Sequence, residues 1–111
     1  MQKAHTYSPH TVATAKILGL EIAKARRARR WSQQELAQRA GISPLTLGSI
    51  ERGTLTVAIG SGFEVAHLVG LNLLGTDRND LTDLVSRSQD RLALLPVRIR
   101  NRASDDIDDN F

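Results

Sequence analysis

Residues 32–53 read SQQELAQRAGISPLTLGSIERG, and the punctuation of this stretch decides the fold. Ser32 with Glu35 three residues on is a capping box: the serine hydroxyl accepts from one free backbone N–H of a helix start, and the glutamate accepts from another. The helix it opens covers about 33–40, with Leu36, Ala37 and Ala40 facing inward, and Gly41 supplies the left-handed residue that stops it. Ile42 follows as a core plug. Ser43-Pro44 then starts a second helix, with serine as cap and proline at the first helical position, where a missing N–H is tolerated. That helix reaches Arg52, keeps Leu47 and Ile50 inside, and closes at Gly53.

Upstream, Ser8-Pro9 repeats the same start signal and opens a helix over about 9–29, whose buried stripe is Val12, Ala15, Leu18, Ile22 and Ala25. Gly19 weakens it slightly, and its last turns, KARRARR, place cations where the helix dipole favours them. Downstream, Ser61-Gly62-Phe63-Glu64 reads as a second capping box. It predicts a helix from there to about 73, with Phe63, Val65, Ala66, Leu68 and Val69 buried, His67 partly buried, and Gly75 ending the run. A fifth helix over 79–94 carries Leu81, Leu84, Val85, Ser88, Leu92 and Leu95 on one face, a longer stripe than a small domain needs to bury. Pro96 breaks it. The remainder alternates Val97, Ile99 and Asn101 with three arginines, as an edge strand would, and then turns acidic around Ile107 and Phe111.

Composition agrees with helices. The chain has 111 residues, enough for one compact domain and a tail, and its 41% apolar content includes only Tyr7, Trp31, Phe63 and Phe111 as aromatics, so the core is aliphatic. No cysteine is present, which excludes a disulfide framework or thiolate metal site and fits a reducing cytoplasm. No segment approaches the roughly 20 apolar residues that a membrane span needs, so the expectation is a soluble cytoplasmic protein. The net charge of +3 is uneven: residues 1–53 hold nine Lys/Arg and three Glu, whereas residues 54–111 hold six Arg and nine acids. The front half is the candidate surface for an anionic ligand.

Two short helices across a glycine turn, locked by Leu36, Ala37, Ile42, Leu47 and Ile50, make a helix-turn-helix. Residues 32–53 resemble the lambda-repressor-like, XRE-type family along nearly their whole length: Ser-Gln at the first start, Glu-Leu-Ala, Ala-Gly-Ile-Ser at the turn, Ile-Glu-Arg-Gly at the exit. The start of the first short helix can hold a phosphate with its free N–H groups and the Gln33 amide, with Gln34 beside it. The resemblance implies that the second helix lies in the major groove. Position by position, that makes Ser43, Pro44, Leu45, Thr46 and Ser49 the groove-facing residues, with Arg52 toward the DNA backbone. The family's first helices are similar to LGLEIAKARRARRWSQ, residues 18–33, and the similarity implies a structural ion pair between Arg26 and Glu51.

The later part of the chain, with Leu95-Pro96-Val97-Arg98-Ile99-Arg100 and Asp108-Asp109-Asn110-Phe111, resembles HipB-type antitoxins paired with HipA-like kinases. That implies a homodimer on an inverted-repeat operator in double-stranded DNA, autorepression, and a kinase toxin held inactive by the tail residues Ile107, Asp108, Asp109 and Phe111. A dimer is also expected from the uncovered stripe of Leu81, Leu84, Val85 and Leu92. The expected organisation is an all-α, five-helix, lambda-repressor-like protein: 1–8 a flexible N-terminus, 9–75 the DNA-binding domain, 76–95 a dimerising helix, and 96–111 a tail with a possible edge strand.

Each signal has a plainer reading. Arg26, Arg27, Arg29 and Arg30 could be a solvated face, and acidic tails are often only solvated. His5, His10 and His67 lack metal-ligand spacing, and the tail aspartates lack a calcium-loop pattern, so neither metal nor cofactor is expected. Ser8 and Ser32 are caps without a histidine or acid partner, so no enzyme is expected. Trp31 stands where the family has a core aliphatic, which favours packing over base stacking. A stand-alone repressor without a toxin, or a protein that chiefly inhibits an enzyme, remain the alternatives.

Overall fold

The computed structural model describes residues 6–75 and 78–98, and these form five α-helices and no strand. They are α1 (Pro9–Ala28), α2 (Gln33–Ala40), α3 (Pro44–Glu51), α4 (Ile59–Leu68) and α5 (Arg78–Ala93). The chain divides after Gly75 into two compact units, so α1–α4 and α5 are taken separately. The all-α class expected from the sequence holds.

In the first unit α2 packs on α3 and α4, and α1 packs on α3. The core is Ile22, Leu36, Ala37, Leu47, Ile50, Val65, Ala66 and Val69, with Leu18, Ala25, Trp31, Ala40, Ile42, Val57, Leu68 and Leu71 packed around it. Burying an aliphatic side chain of this size stabilises by about 1.5–3 kcal/mol relative to leaving it exposed, so this cluster holds α2 and α3 in register.

The two serine-proline starts are built alike. Ser8 Oγ accepts from Thr11 N (3.2 Å) and donates to Thr11 Oγ1 (3.1 Å); Ser43 Oγ accepts from Thr46 N (3.0 Å) and donates to Thr46 Oγ1 (2.9 Å). Ser32 and Glu35 form the expected reciprocal box, at 3.0 and 2.8 Å.

Helix ends are also built alike. After α2, α3 and α4 a glycine in the left-handed region (Gly41, Gly53, Gly70) donates to the carbonyl three residues back, and the following residue donates to the one five back. The same pair of bonds ends α1, Arg30 N to Arg27 O (2.9 Å) and Trp31 N to Arg26 O (3.2 Å), but there the left-handed residue is Arg30, at φ 60°.

Several expectations are corrected. Helix α4 starts at Ile59 behind Ala58, with no side-chain cap, so Ser61 lies inside the first turn and its capping box does not form. The inward face is then Gly62, Val65, Ala66 and Val69; Phe63, one residue off it, is 53% exposed, and His67 is exposed. Gly70, not Gly75, ends the helix, because its left-handed backbone closes the α4 carbonyls first. On α1, Val12 is exposed and Ala15 only half-buried, so close packing begins at Leu18. Gly19 is no mere weakness: a Cβ there would lie 2.6 Å from Ile50 O and closer still to Glu51 O, so its absence lets α3 lie against α1.

In the second unit α5 carries Leu81, Val85 and Leu92 exposed and Leu84 half-buried, followed by exposed Leu94, Leu95 and Val97. The possible edge strand is not seen at Val97 and Arg98; its later residues, and Ile107, Asp108, Asp109 and Phe111, lie outside the described residues.

Candidate nucleic-acid interface

Three side chains from three helices fix α3 in place. Arg26 on α1 donates to both carboxylate oxygens of Glu51, Nε to Oε2 at 2.7 Å and Nη2 to Oε1 at 3.1 Å, and its Nη1 donates to Trp31 O at 2.9 Å. Gln33 at the start of α2 donates from Nε2 to Glu51 Oε1 at 3.0 Å. Both side chains of the ion pair are more than nine-tenths buried. Burial pushes the Glu51 carboxyl up, but the hydrogen bonds from Arg26 and Gln33 and the charges of Arg26 and Arg27 together hold it below its ordinary value. Arg26 is therefore no part of a solvated basic face; among the four clustered arginines only Arg27, Arg29 and Arg30 are exposed.

The outer side of α2–α3 brings together the residues singled out from the sequence. Gln33, Gln34, Ser43, Pro44, Leu45 and Arg52 are exposed, and Thr46 and Ser49 are half-buried. Leu45 is 77% exposed, which leaves it free to meet an apolar group. Gly48 leaves room beside it: a Cβ there would lie 3.1 Å from Arg52 Nη1, and that guanidinium donates to Ser49 Oγ at 3.3 Å. The Arg52 charge is thus laid back along α3. Gln33 is partly engaged by Glu51, which orients its amide and leaves a second N–H on the same nitrogen.

One group went unread in the sequence. The Arg39 guanidinium lies 4.3 Å from the centroid of the Trp31 ring and that of Arg29 lies at 5.7 Å, while Trp31 also packs against the core. Both contacts are within cation–π range. Trp31 and Arg39 are eight residues apart across a cap, a spacing with no local signature. Among the described residues no group of three His, Cys, Asp or Glu side chains is placed to hold a metal ion, and no helix is long and apolar enough to cross a membrane.

This geometry has the parts of a DNA-reading surface: a helix start facing outward, a second helix with its N-terminal turn exposed, and an anchor that sets the angle between them. Residues 22–72 match the helix-turn-helix family. No curated protein and no solved structure matches the chain. The matched span runs from Ile22 in α1 to Asn72 beyond α4 and so contains the whole α2–α3 pair and its anchor. Residues 22–72 thus have the lambda-repressor-like helix-turn-helix fold, and the match supports a DNA-binding transcription regulator.

Proposed function

We propose that the chain is a homodimeric repressor that binds an inverted-repeat operator through α3 and serves as the antitoxin of a HipA-like kinase whose operon it controls. The observation that carries the DNA part is the exposed first turn of α3, with Leu45, Thr46 and Ser49 outward on a helix that the Arg26–Glu51 pair holds to α1. Gln33, Gln34 and Arg52 flank it as backbone contacts. The dimer rests on α5, whose Leu81, Val85 and Leu92 are exposed in the single chain. The antitoxin role rests on the resemblance of the Leu95–Arg100 and Asp108–Phe111 segments to HipB-type tails.

Binding of the full chain to its own promoter DNA, followed against salt, tests the first part. Affinity falls steeply as salt rises, and Arg52→Ala weakens every sequence alike while lowering the salt slope by about 1. Removal of residues 96–111 tests the second. Operator binding then survives while a kinase encoded beside this chain is no longer retained. Loss of DNA binding with the kinase complex intact reverses the assignment of the tail.

A further inference from the structure

Gly48 has no local reason to be glycine. Glycine is the poorest helix former after proline, yet Gly48 stands in the middle of the eight-residue α3, with its backbone outside the left-handed region. Nor does a neighbouring backbone crowd it. At Gly19 an added Cβ would strike the carbonyls of α3, whereas at Gly48 the nearest atoms are side-chain ends, Arg52 Nη1 at 3.1 Å and Gln33 Nε2 at 4.0 Å. Gly48 is buried, and these two groups stand over it. Both are donors with protons to spare. Gln33 Nε2 gives one N–H to Glu51 and Arg52 Nη2 gives one to Ser49 Oγ, while among the described residues no carboxylate pairs with Arg52. Lying 3.1 and 4.0 Å from the same point, the two nitrogens are at most about 7 Å apart. One phosphate fills such a gap with charge-assisted bonds of about 2.8 Å to two of its oxygens.

We propose that Gln33 and Arg52 grip one and the same phosphate of the operator, and that Gly48 is the positioning residue that sets their spacing. A Cβ at 3.1 Å from Arg52 Nη1 is inside ordinary contact distance, so any side chain at 48 moves the guanidinium off α3 and away from the Gln33 amide. The inference rests on the reading of α3 as the groove-facing helix and goes beyond it, from separate backbone contacts to a single two-donor clamp. Such a clamp joins the start of α2 to the exit of α3 through the DNA, and so fixes the angle at which α3 enters the groove. The surrounding bonds serve it: Glu51, tied to Arg26, orients the Gln33 amide, and Ser49 holds Arg52 along the helix.

The test uses the full chain and an operator enriched from a randomised duplex library, in which each phosphate of one half-site is replaced in turn by an uncharged methylphosphonate. One replacement is expected to weaken wild-type binding by about 10-fold or more, the worth of a hydrogen bond to a charged group, and that penalty shrinks in Gln33→Ala and in Arg52→Ala at the same phosphate. Gly48→Ala is expected to raise Tm through helix propensity and yet to weaken binding by about 3- to 10-fold. The penalty at that phosphate shrinks in this variant too, and the substitution costs nothing further in an Arg52→Ala background. Penalties that shrink at different phosphates for Gln33 and Arg52 overturn the shared clamp. Gly48→Ala protein that binds as wild type, or that loses as much affinity when Arg52 is already gone, overturns the role of Gly48. If no sequence is enriched, the DNA reading of α3 falls, and the inference with it.

Discussion

Arg26 Nε stands 2.7 Å from Glu51 Oε2, and this contact ties the first helix to the exit of the third. Removing one partner of a buried pair leaves the other charge uncompensated, at a cost of about 3–5 kcal/mol. Glu51→Gln, which keeps the shape and the Gln33 contact region, is therefore expected to lower the urea midpoint sharply at neutral pH. The pH dependence has a definite sign. Glu51 is held below its ordinary value in the folded chain, so its stabilisation is complete above the unfolded glutamate pKa, about 4.3, and fades as pH falls through the lower folded value. The gap between wild type and Glu51→Gln is expected to shrink between pH 7 and pH 3. A gap that stays constant across that range would contradict it.

Gly19 and Gly60 should respond in opposite directions to the same substitution. A Cβ at Gly19 meets Ile50 O at 2.6 Å and Glu51 O more closely, and backbone carbonyls at a helix end cannot step aside as a side chain can. Gly19→Ala is expected to destabilise by about 2–3 kcal/mol, the range of overpacking in a tight core. At Gly60, inside α4, nothing lies within 4 Å of the added methyl. Gly60→Ala is expected to stabilise by about 0.5–1 kcal/mol through helix propensity. Thermal melts of the two single variants decide the matter, and a loss at Gly60 equal to that at Gly19 would refute the close-approach reading.

Arg30 holds the left-handed place that glycine holds after α2, α3 and α4. For a residue with a Cβ that backbone costs roughly 1–2 kcal/mol, part of which glycine gives back through its freer unfolded chain. Arg30→Gly is expected to gain about 0.5–1 kcal/mol, a rise of a few degrees in Tm for a domain of this size. Arg30→Val, β-branched, is expected to lower it. A neutral or harmful Arg30→Gly would refute the strain assigned to this turn.

The α2–α3 pair was legible because its signals are local and agree: caps, glycines and apolar periodicity all fall within 22 residues. Ser32–Glu35 and Ser43–Thr46 close the bonds their spacing demands. Ser61–Glu64 carries the same letters but sits inside a helix that Ile59 and Gly60 have already begun, so a cap motif is informative only where the helix has not started upstream. The Arg26–Glu51 pairing came from resemblance; periodicity alone cannot tell which of four clustered arginines turns inward. Gly19 looked like a weak helix residue because the carbonyls it accommodates come from 31 and 32 residues away.

Leu92 is 69% exposed and Val85 56% exposed in the single chain, and Leu81 shares their helix. Side chains this exposed contribute little to folding of their own chain, so Leu92→Glu and Val85→Glu separate association from stability. Wild-type protein is expected to sediment at twice the 12.2 kDa chain mass at micromolar concentration, and the two variants as monomers with an unchanged melting curve of α1–α4. A symmetric pair presents two copies of α3 to DNA about one turn, roughly 34 Å, apart. Dissociation therefore has a second signature: each half-site binds with its own affinity, and changing the half-site spacing by half a turn, which should cripple the dimer, no longer matters. Wild-type monomers, or variants that keep their sensitivity to spacing, would remove α5 from the association surface.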